Sequence, residues 1–413
     1  MDSGNIAWLL TSASLVLLMT PGLAFFYGGM SRGKSVLNMM MMSFGALAVV
    51  TVGWVLVGNA ISVGESVGGL FGNPSSDFLI ATSWADYASA GDGEGLIAVG
   101  FGATFAIITV ALISGSIADR AKFSAWLVFA FLWGILVYAP VSHWVWGGGI
   151  LSDAGPIFSE DWFPQDFAGG TVVHINAGVA GLVLALILGV RKGFGKEPMR
   201  PHNLPFVMLG AALLWFGWFG FNAGSAFAAD VYASAAWVNT TAATAAAILG
   251  WLVTERIRDG KATSLGAASG VVAGLVAITP AAVAVDPWGA LLIGLIAGIL
   301  SALAVGLKYK LGYDDSLDVV GVHLVAGLWG TVAIGLFGTT TFGSWDGLFT
   351  GGGVGGLTAQ VVAALVTIVY SAVATLIIGL AIKFTIGFRV SEEVEVAGID
   401  LAEHGETAYE EAK

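Results

Sequence analysis

Long apolar runs, separated by short polar breaks, fill the chain from its amino terminus to about residue 386. Each run is long enough for an α-helix that crosses a hydrocarbon core of about 30 Å, which requires roughly 20 residues. We number these predicted spans 1 to 11, and they lie near residues 6–28, 37–62, 96–118, 123–146, 168–190, 204–228, 234–254, 264–284, 287–307, 317–338 and 351–386. The pattern predicts an all-α, polytopic membrane protein with eleven transmembrane helices.

The basic residues predict the orientation of these helices. All 16 lysines and arginines fall in the loops after odd-numbered spans, or at and beyond the end of span 11. The loops after even-numbered spans carry only acidic charges. By the positive-inside rule, the amino terminus should lie outside and the carboxyl terminus in the cytoplasm. Span 1 follows the acidic Asp2 and no basic residue, so we expect a mature helix rather than a cleaved signal peptide.

The composition supports a membrane protein and excludes several functions. Only 11% of residues are charged and 57% are hydrophobic, whereas a soluble domain carries about 25% charged residues. The chain contains no cysteine, which excludes disulfides, thiolate metal sites and cysteine nucleophiles. Its net charge of −12 argues against binding to nucleic acid. No cluster of carboxylates or metal ligands predicts a catalytic site, a metal site or a cofactor.

A short histidine motif occurs twice. His174-Ile-Asn-Ala-Gly-Val-Ala-Gly recurs as His323-Leu-Val-Ala-Gly-Leu-Trp-Gly, and an aspartate precedes each copy, Asp166 in one case and Asp318 in the other. The copies lie on spans 5 and 10, which enter the membrane from opposite sides. The chain therefore reads as an inverted repeat with halves at about 1–190 and 204–338, followed by the helix 351–386. Together these form a transmembrane domain, 1–386, and residues 387–413 form a cytoplasmic tail.

The two histidines are the candidates for a functional site inside the membrane. Each lies about six residues inside its span, roughly 9 Å deep at 1.5 Å per residue. His174 and His323 should therefore meet near the bilayer centre. Ionisable groups are costly there, and two at equivalent repeat positions favour a paired site over two separately satisfied side chains. A neutral imidazole pair suits a small hydrogen-bonding solute or a proton relay.

Aromatic residues cluster on the predicted outer side. Phe101 and Phe105 share one face of span 3, and Trp146 ends span 4. Span 6 carries three aromatic residues and one hydroxyl, which are Trp215, Trp218, Phe221 and Ser225. Aromatic faces bind cations, although tryptophans at helix ends also form interfacial belts. The belt is the preferred interpretation for Trp144, Trp162, Trp237, Trp288 and Trp345.

Several segments resemble the signatures of ammonium transporters of the Amt/Mep/Rh family. They are Phe167-Ala-Gly-Gly-Thr-Val-Val-His174-Ile-Asn-Ala177, Gly217-Trp-Phe-Gly-Phe-Asn-Ala-Gly-Ser225, Asp318-Val-Val-Gly-Val-His323, Pro201-His-Asn-Leu-Pro205 and the tail residues Glu392-Glu, Gly398-Ile-Asp-Leu and His404-Gly405. The similarity extends over essentially the whole chain, and Trp146 with Ser225 is typical of the Amt branch. It implies a homotrimer of eleven-helix protomers in the cell membrane, plasma or inner, each with its own pore.

The resemblance also implies roles for individual residues. An outer site that recruits ammonium would consist of Trp146, Phe101 and Ser225. The stacked gate beneath it would consist of Phe105 and Phe221, the twin histidines of the pore would be His174 and His323, and Trp218 is a further pore-lining candidate. For Asp166 we expect a structural role, capping helix N–H groups, with an electrostatic pull on cations as a secondary effect.

The implied function is uptake of ammonium, with methylammonium as an analogue. Ammonium would lose a proton near the gate, and ammonia would cross the pore; whether the proton is relayed separately or stays outside is open. The tail, with eight acidic groups against Arg389 and Lys413, is either solvated or, as the resemblance implies, folded under neighbouring protomers. The resemblance further implies a cytoplasmic PII-type signal protein as a partner, besides membrane lipids.

Three other functions compete with transport of ammonium. The first is an ammonium sensor, which an additional output domain would favour. The second is an intramembrane enzyme that uses the histidine pair, and the absence of a nucleophile motif argues against it. The third is a channel for neutral solutes such as urea or glycerol.

Overall fold

The computed structural model describes residues 2–153, 155–158 and 161–409. Within them, eleven helices are long and apolar enough to cross a membrane, which confirms the predicted number. They are Ser3–Met30, Val36–Val63, Gly93–Ile117, Phe123–Trp146, Gly170–Leu188, Leu204–Gly224, Val231–Asp259, Ser264–Ala281, Pro287–Leu311, Val320–Phe337 and Gly355–Thr385, and they keep the names span 1 to span 11. The largest error is at the end of span 7, which was predicted at 254 and lies at Asp259.

The remaining regular elements are short. A two-stranded antiparallel hairpin pairs Ser66–Val67 with Phe71–Gly72, and a 3-10 turn, Phe78–Ile80, leads into a helix at Ala81–Ala90. Other 3-10 turns end spans 3 and 8, at Ser114–Ile117 and Thr279–Ala281. The tail contains a helix, Glu392–Ala397, and a π turn, Asp400–His404. The described residues are therefore mostly helical, with almost no strand, as predicted.

Four of the spans contain a π-helical turn. These turns are Trp54–Gly58 in span 2, Gly134–Tyr138 in span 4, Gly170–Ile175 in span 5 and Val320–Leu324 in span 10. Within α-helices, such turns occur frequently at functional sites. The turns in spans 5 and 10 contain His174 and His323, so both halves of the chain present their histidine from the same irregular element.

Helix packing follows the predicted repeat. Span 1 packs on span 6, and span 5 packs on span 10. Within the first half, spans 1 and 3, 2 and 3, and 2 and 4 are in contact. Their counterparts five spans later, 6 and 8, 7 and 8, and 7 and 9, are also in contact. The two halves thus have the same internal arrangement, and the histidine spans meet between them.

Spans 1 and 6 approach each other closely through glycines. A Cβ on Gly210 would lie 2.3 Å from the backbone nitrogen of Phe26, and one on Gly29 would lie 2.7 Å from that of Val207. A Cβ on Gly217 would lie 2.6 Å from a backbone carbonyl of span 1. Small residues allow such backbone contact between membrane helices. Side chains larger than hydrogen at these positions would force the two halves apart.

A buried ion cluster joins the two halves at the rim that carries the basic loops. The Arg191 guanidinium lies 2.8 Å from Asp314 and 3.2 Å from Asp119, and Arg120 donates to the Asp314 carbonyl at 2.6 Å. Burial lowers the pKa of Arg120 to about 10. Burial would raise the pKa of Asp314, but its bonds with Arg191 bring that pKa below the usual value. These charges are therefore stabilised by one another rather than by water.

The tail folds against its own chain. The Asp400 carboxylate accepts hydrogen bonds from the backbone N–H groups of Leu37 and Asn38 at 3.0 and 2.8 Å, at the start of span 2. Glu403 accepts from the N–H of Phe123 at 3.2 Å, at the start of span 4. A folded segment, rather than a solvated tail, is thus observed here. Residues 410–413, which complete the predicted tail and include Lys413, lie outside the described residues.

Candidate functional site

Two phenylalanine rings separate the interior of the helix bundle from a cavity on the side of the acidic loops, which we call the outer cavity after the predicted orientation. Phe105 of span 3 and Phe221 of span 6 are buried and stack with their centroids 4.1 Å apart and their planes 13° from parallel. The Trp146 and Phe105 rings are nearly perpendicular, and their centroids are 6.0 Å apart. The stack is the geometry that the predicted gate requires, because it leaves no opening between the rings.

The three residues of the predicted outer site lie around the upper side of this stack. The Phe101 centroid is 4.8 Å from that of Phe105. Trp146 is 37% exposed, and its indole N–H donates to the Asp166 carbonyl at 2.8 Å. Ser225 lies one residue beyond the end of span 6, not within it as predicted, and its hydroxyl donates to the Phe221 carbonyl at 2.8 Å. With its proton engaged there, the Ser225 oxygen can only accept from a ligand.

These residues line an outer cavity of about 670 Å³. Phe227, which no sequence pattern indicated, also lines this cavity and packs edge-on against Phe101 with centroids 5.4 Å apart. Phe227 has a left-handed backbone, with φ at +57°. Because bulky residues rarely adopt that conformation, hydrophobic periodicity could not predict where this ring points.

Asp166 organises the first turn of span 5. Its carboxylate accepts hydrogen bonds from the backbone N–H groups of four consecutive residues, Gly169, Gly170, Thr171 and Val172, and from the Thr171 hydroxyl. The N-cap position itself belongs to Gly169, so Asp166 reaches the orphan donors from three residues upstream. Burial raises the pKa of the Asp166 carboxyl, and the hydrogen bonds offset only part of that effect.

The counterpart of Asp166 in the second half is Asp315, and the proposed pairing with Asp318 is wrong. The Asp315 carboxylate accepts from the N–H groups of Val319 and Val320 at 3.1 and 2.7 Å. Asp315 precedes His323 by the same eight positions that separate Asp166 from His174. Asp318 instead corresponds to Gly169, since both have positive φ, and its carboxylate forms an ion pair with Lys308 at 2.7 Å.

Gln360 of span 11 fixes the segment that carries Asp166. Its side-chain oxygen accepts from the Gln165 N–H at 2.8 Å, and its amide donates to the carbonyls of Gln165 and Thr331, both at 2.9 Å. Thr331 belongs to span 10. The helix outside the repeat therefore connects the Asp166 segment of the first half to the second half. The sequence offered no signal for this role beyond a polar residue within an apolar span.

The two predicted histidines meet below the phenylalanine stack, as the repeat predicted. The Nδ1 atoms of His174 and His323 are 3.3 Å apart, and both side chains are buried. Trp218 stacks on His174 with centroids 5.5 Å apart, and its indole N–H donates to the Thr279 hydroxyl at 2.8 Å. A cavity of about 10 Å³ lies among these residues and Phe221. That space is near the lower limit for one water-sized molecule.

The predicted aromatic belt is only partly observed. Trp237 and Trp288 are exposed, as a belt requires. Trp144 and Trp345 are buried, and their indole N–H groups donate to the carbonyls of Leu70 and Phe163. Trp162 packs against Trp345 with centroids 5.9 Å apart. For Trp144 and Trp345 the belt interpretation is wrong, because both rings are buried and bonded to loop carbonyls, whereas Trp162 is half-buried.

Comparisons with known proteins agree with this architecture. Residues 7–409 match the family described as the Ammonium Transporter Family. The ammonium transporter of Mycobacterium tuberculosis is 56% identical, covering 99% of this chain and 91% of the relative. The crystal structure of Saccharomyces cerevisiae Mep2 has a TM-score of 0.88 and 32% identity, covering 100% of this chain and 93% of that one. A solved structure named Sensor Amt Protein has a TM-score of 0.86 and 28% identity, covering 97% and 98%.

Proposed function

Because this chain belongs to the ammonium transporter family, we propose that it recruits ammonium at the outer aromatic site, removes one proton and conducts ammonia past the paired histidines. Family membership makes it a multi-pass membrane protein that transports ammonium, and not an enzyme. The observation that carries the proposed mechanism is the contact between His174 and His323 directly below the phenylalanine stack.

Recruitment uses the faces of aromatic rings and one hydroxyl oxygen. Phe101 and Trp146 offer negative ring faces, and each such contact is worth about 0.5–2 kcal/mol, depending on desolvation. Ser225 accepts a hydrogen bond, because its own proton is donated to Phe221. Potassium has a similar charge but no N–H donor, so it gains nothing directional from Ser225. Discrimination therefore begins at this site.

The stacked gate favours a neutral permeant. A charged ion that left the outer cavity would have to lose its remaining water between Phe105 and Phe221, and an unpaired charge in such surroundings is very costly. Ammonium reduces that cost by transferring one N–H proton to water in the outer cavity, which leaves ammonia and a hydrated proton. Potassium has no proton to lose. Ammonia then passes when a phenylalanine ring rotates.

The histidine pair offers ammonia a donor and an acceptor. One Nδ1–H lies between the rings and donates to the other Nδ1, so the two tautomers are coupled. If His174 is the donor, its Nε2 is an acceptor, and the Nε2–H of His323 is a donor. No side chain or backbone group among the described residues bonds to the His174 Nε2. The pair can therefore hydrogen-bond ammonia, and it can also relay a proton.

Current recording on proteoliposomes tests the mechanism. Ammonium pulses should produce transport in the unmodified protein, and potassium pulses should not. His174→Ala and His323→Ala should each abolish any ammonium current or admit potassium, while His202→Gln, on the rim away from the pore, serves as the control. Ammonium transport that persists unchanged in both alanine variants, without potassium leak, would remove the histidines from the mechanism. Current together with uptake would indicate a relayed proton, and uptake without current a proton left outside.

The outer site has its own test. Trp146→Leu should raise the ammonium concentration that gives half-maximal transport, because the indole face no longer meets the cation. An unaltered concentration dependence would assign Trp146 to loop packing alone.

A protein that shows neither uptake nor current would favour the sensor, a function named for one similar solved structure. Urea or glycerol flux without ammonium flux would favour the neutral-solute channel.

We also propose a homotrimer and a cytoplasmic PII-type partner, as the resemblance implies. The folded tail supports the partner, because it forms a defined surface at the starts of spans 2 and 4. Native mass spectrometry of the purified protein tests the trimer, and a monomeric mass would contradict it. Association of a PII-type protein with membranes that contain the transporter tests the partner.

A further inference from the structure

The outer cavity is far larger than the ion that the proposed function assigns to it. Its volume is about 670 Å³, whereas a molecule the size of water occupies about 30 Å³. Cavities of roughly 300–1,000 Å³ are typical of sites that enclose larger organic ligands. The space around Trp146 and Ser225 therefore accommodates a ligand of several carbon atoms.

The wall of this cavity is aromatic and carries only negative charge. Among the described residues that line it, eleven have aromatic rings, and the only charged side chains are Asp153 and Asp166. No lysine or arginine lines it within that part of the chain. Ring faces and carboxylates attract cations, and rings also contact alkyl groups. The chemistry fits an organic cation better than it fits an anion or a sugar.

Rings outside the predicted ammonium site form one side of this wall. Phe227 and Tyr232 line the cavity and are 48% and 43% exposed, although both are large aromatic residues. Phe342 packs edge-on against Tyr232 with centroids 5.5 Å apart. Phe227 keeps its ring there by means of a left-handed backbone, with φ at +57°. Such strain persists at a bulky residue only where the surrounding structure enforces it, and it often marks a functional site.

The passage below the cavity excludes a ligand of this size. The Phe105 and Phe221 rings are stacked 4.1 Å apart, and the space at the histidines is about 10 Å³. A cation with alkyl groups in place of N–H protons also has no proton to lose. It would therefore reach the aromatic wall and stop above the gate.

We propose that the outer cavity binds small organic ammonium ions of the tetraalkyl class, which contact Phe227, Tyr232 and Phe342 and block the entry of ammonium. Block of transport rests on the proposed function, but binding does not, since it requires only the cavity. The two can therefore be tested separately.

Titration calorimetry of the purified, full-length protein tests binding, with tetramethylammonium and choline as probes. The neutral carbon isostere of choline, 3,3-dimethyl-1-butanol, reports what the apolar wall binds without a charge. Both cations should bind, and the isostere should bind at least about fivefold more weakly, a ratio within the range expected for cation–π contacts. In cells that express the protein, the same two cations, added outside, should inhibit methylammonium uptake competitively.

Substitutions locate the site. Phe227→Leu and Tyr232→Leu should each raise the dissociation constant of tetramethylammonium by about fivefold, because each removes one ring face. Phe227→Gly, which relieves the backbone strain, should weaken binding in the same way and keep the test independent of a folding defect. Phe349→Leu, an exposed aromatic that does not line the cavity, is the matched control and should change nothing.

Three results would overturn the inference. The first is no heat of binding with either cation, the second is equal affinity for the isostere, and the third is affinity unaffected by all three cavity variants. Binding without ammonium transport would leave the inference standing and contradict the proposed function. Ammonium transport without binding of either cation would support the proposed function and contradict the inference.

Discussion

Trp218 connects the proposed pore to the surrounding helices through a single side chain. Its ring stacks on His174, and its N–H is bonded to Thr279 of span 8. Each contact restricts the other, because an indole held at its nitrogen cannot turn away from the imidazole. The orientation of His174 therefore depends on a residue three helices later in the chain.

Trp218→Phe should reduce the maximal rate of ammonium transport by about tenfold, since small misplacements of reacting groups have effects of up to about a hundredfold. The concentration for half-maximal transport should change little, because the outer site is intact. Thr279→Val, which removes the hydroxyl that accepts this bond and keeps the indole, should have a weaker effect of the same kind. Trp237→Phe, at an exposed position, is the control. A change confined to apparent affinity would contradict the positioning role.

Single residues differ in whether their positions in the structure could be predicted from the sequence. The meeting of His174 and His323 could be predicted, because it depends mainly on the depth of each residue along its membrane-spanning helix. The pairing of Asp166 with Asp318 was wrong, since residue identity suggested it and backbone geometry decided otherwise: the capping carboxylate is Asp315. Phe227 could not be predicted either, because its role depends on a φ value that no pattern of side chains reveals.

At the level of elements, hydropathy predicted all eleven spans, because lipid requires about 20 apolar residues whatever the local geometry. It did not predict the π turns in spans 2, 4, 5 and 10. An apolar run does not reveal whether a backbone N–H bonds to the carbonyl four residues earlier, as in an α-helix, or five residues earlier, as in a π-helix. Yet the turns of spans 5 and 10 present the histidines, so this unpredicted feature determines the direction of both rings.

The capping of span 10 should depend on pH. Burial raises the pKa of Asp315 to about 6, above its unfolded value of about 3.9. The folded state therefore retains a proton that the unfolded state has lost between those pH values, so the contribution of Asp315 to stability decreases as pH rises from 4 to 6. Asp315→Asn is neutral throughout. The stability of the unmodified protein relative to this variant should consequently be greater at pH 5 than at pH 7, by about 1 kcal/mol or more.

Thermal unfolding in detergent, followed by tryptophan fluorescence at the two pH values, measures this difference. Asp86→Asn, at an exposed position in the outer loop, should give the same difference at both pH values. A relative stability of the Asp315→Asn variant that is independent of pH would show that Asp315 is charged in the folded protein at both.

For the whole molecule, the ion cluster at the rim should contribute more to stability than any exposed pair. Asp314→Asn leaves Arg191 and Arg120 buried with one carboxylate fewer, and such uncompensated charge costs about 3–5 kcal/mol. Lys192→Met breaks the exposed pair with Glu392 and should cost less than about 1 kcal/mol. Unfolding measured in denaturant compares the two. Equal effects would contradict a structural role for the cluster.

The close packing of spans 1 and 6 also restricts the conformational changes that can accompany transport. Transporters that alternate between two open states rock one half against the other, and the backbone contacts of Gly29 and Gly210 would be broken by such a motion. Rocking would therefore have to break close backbone packing between the halves, whereas rotation of the Phe105 and Phe221 side chains would not. Throughput should then be set by the rotation of Phe105 and Phe221, not by the microsecond-to-millisecond motions of whole domains.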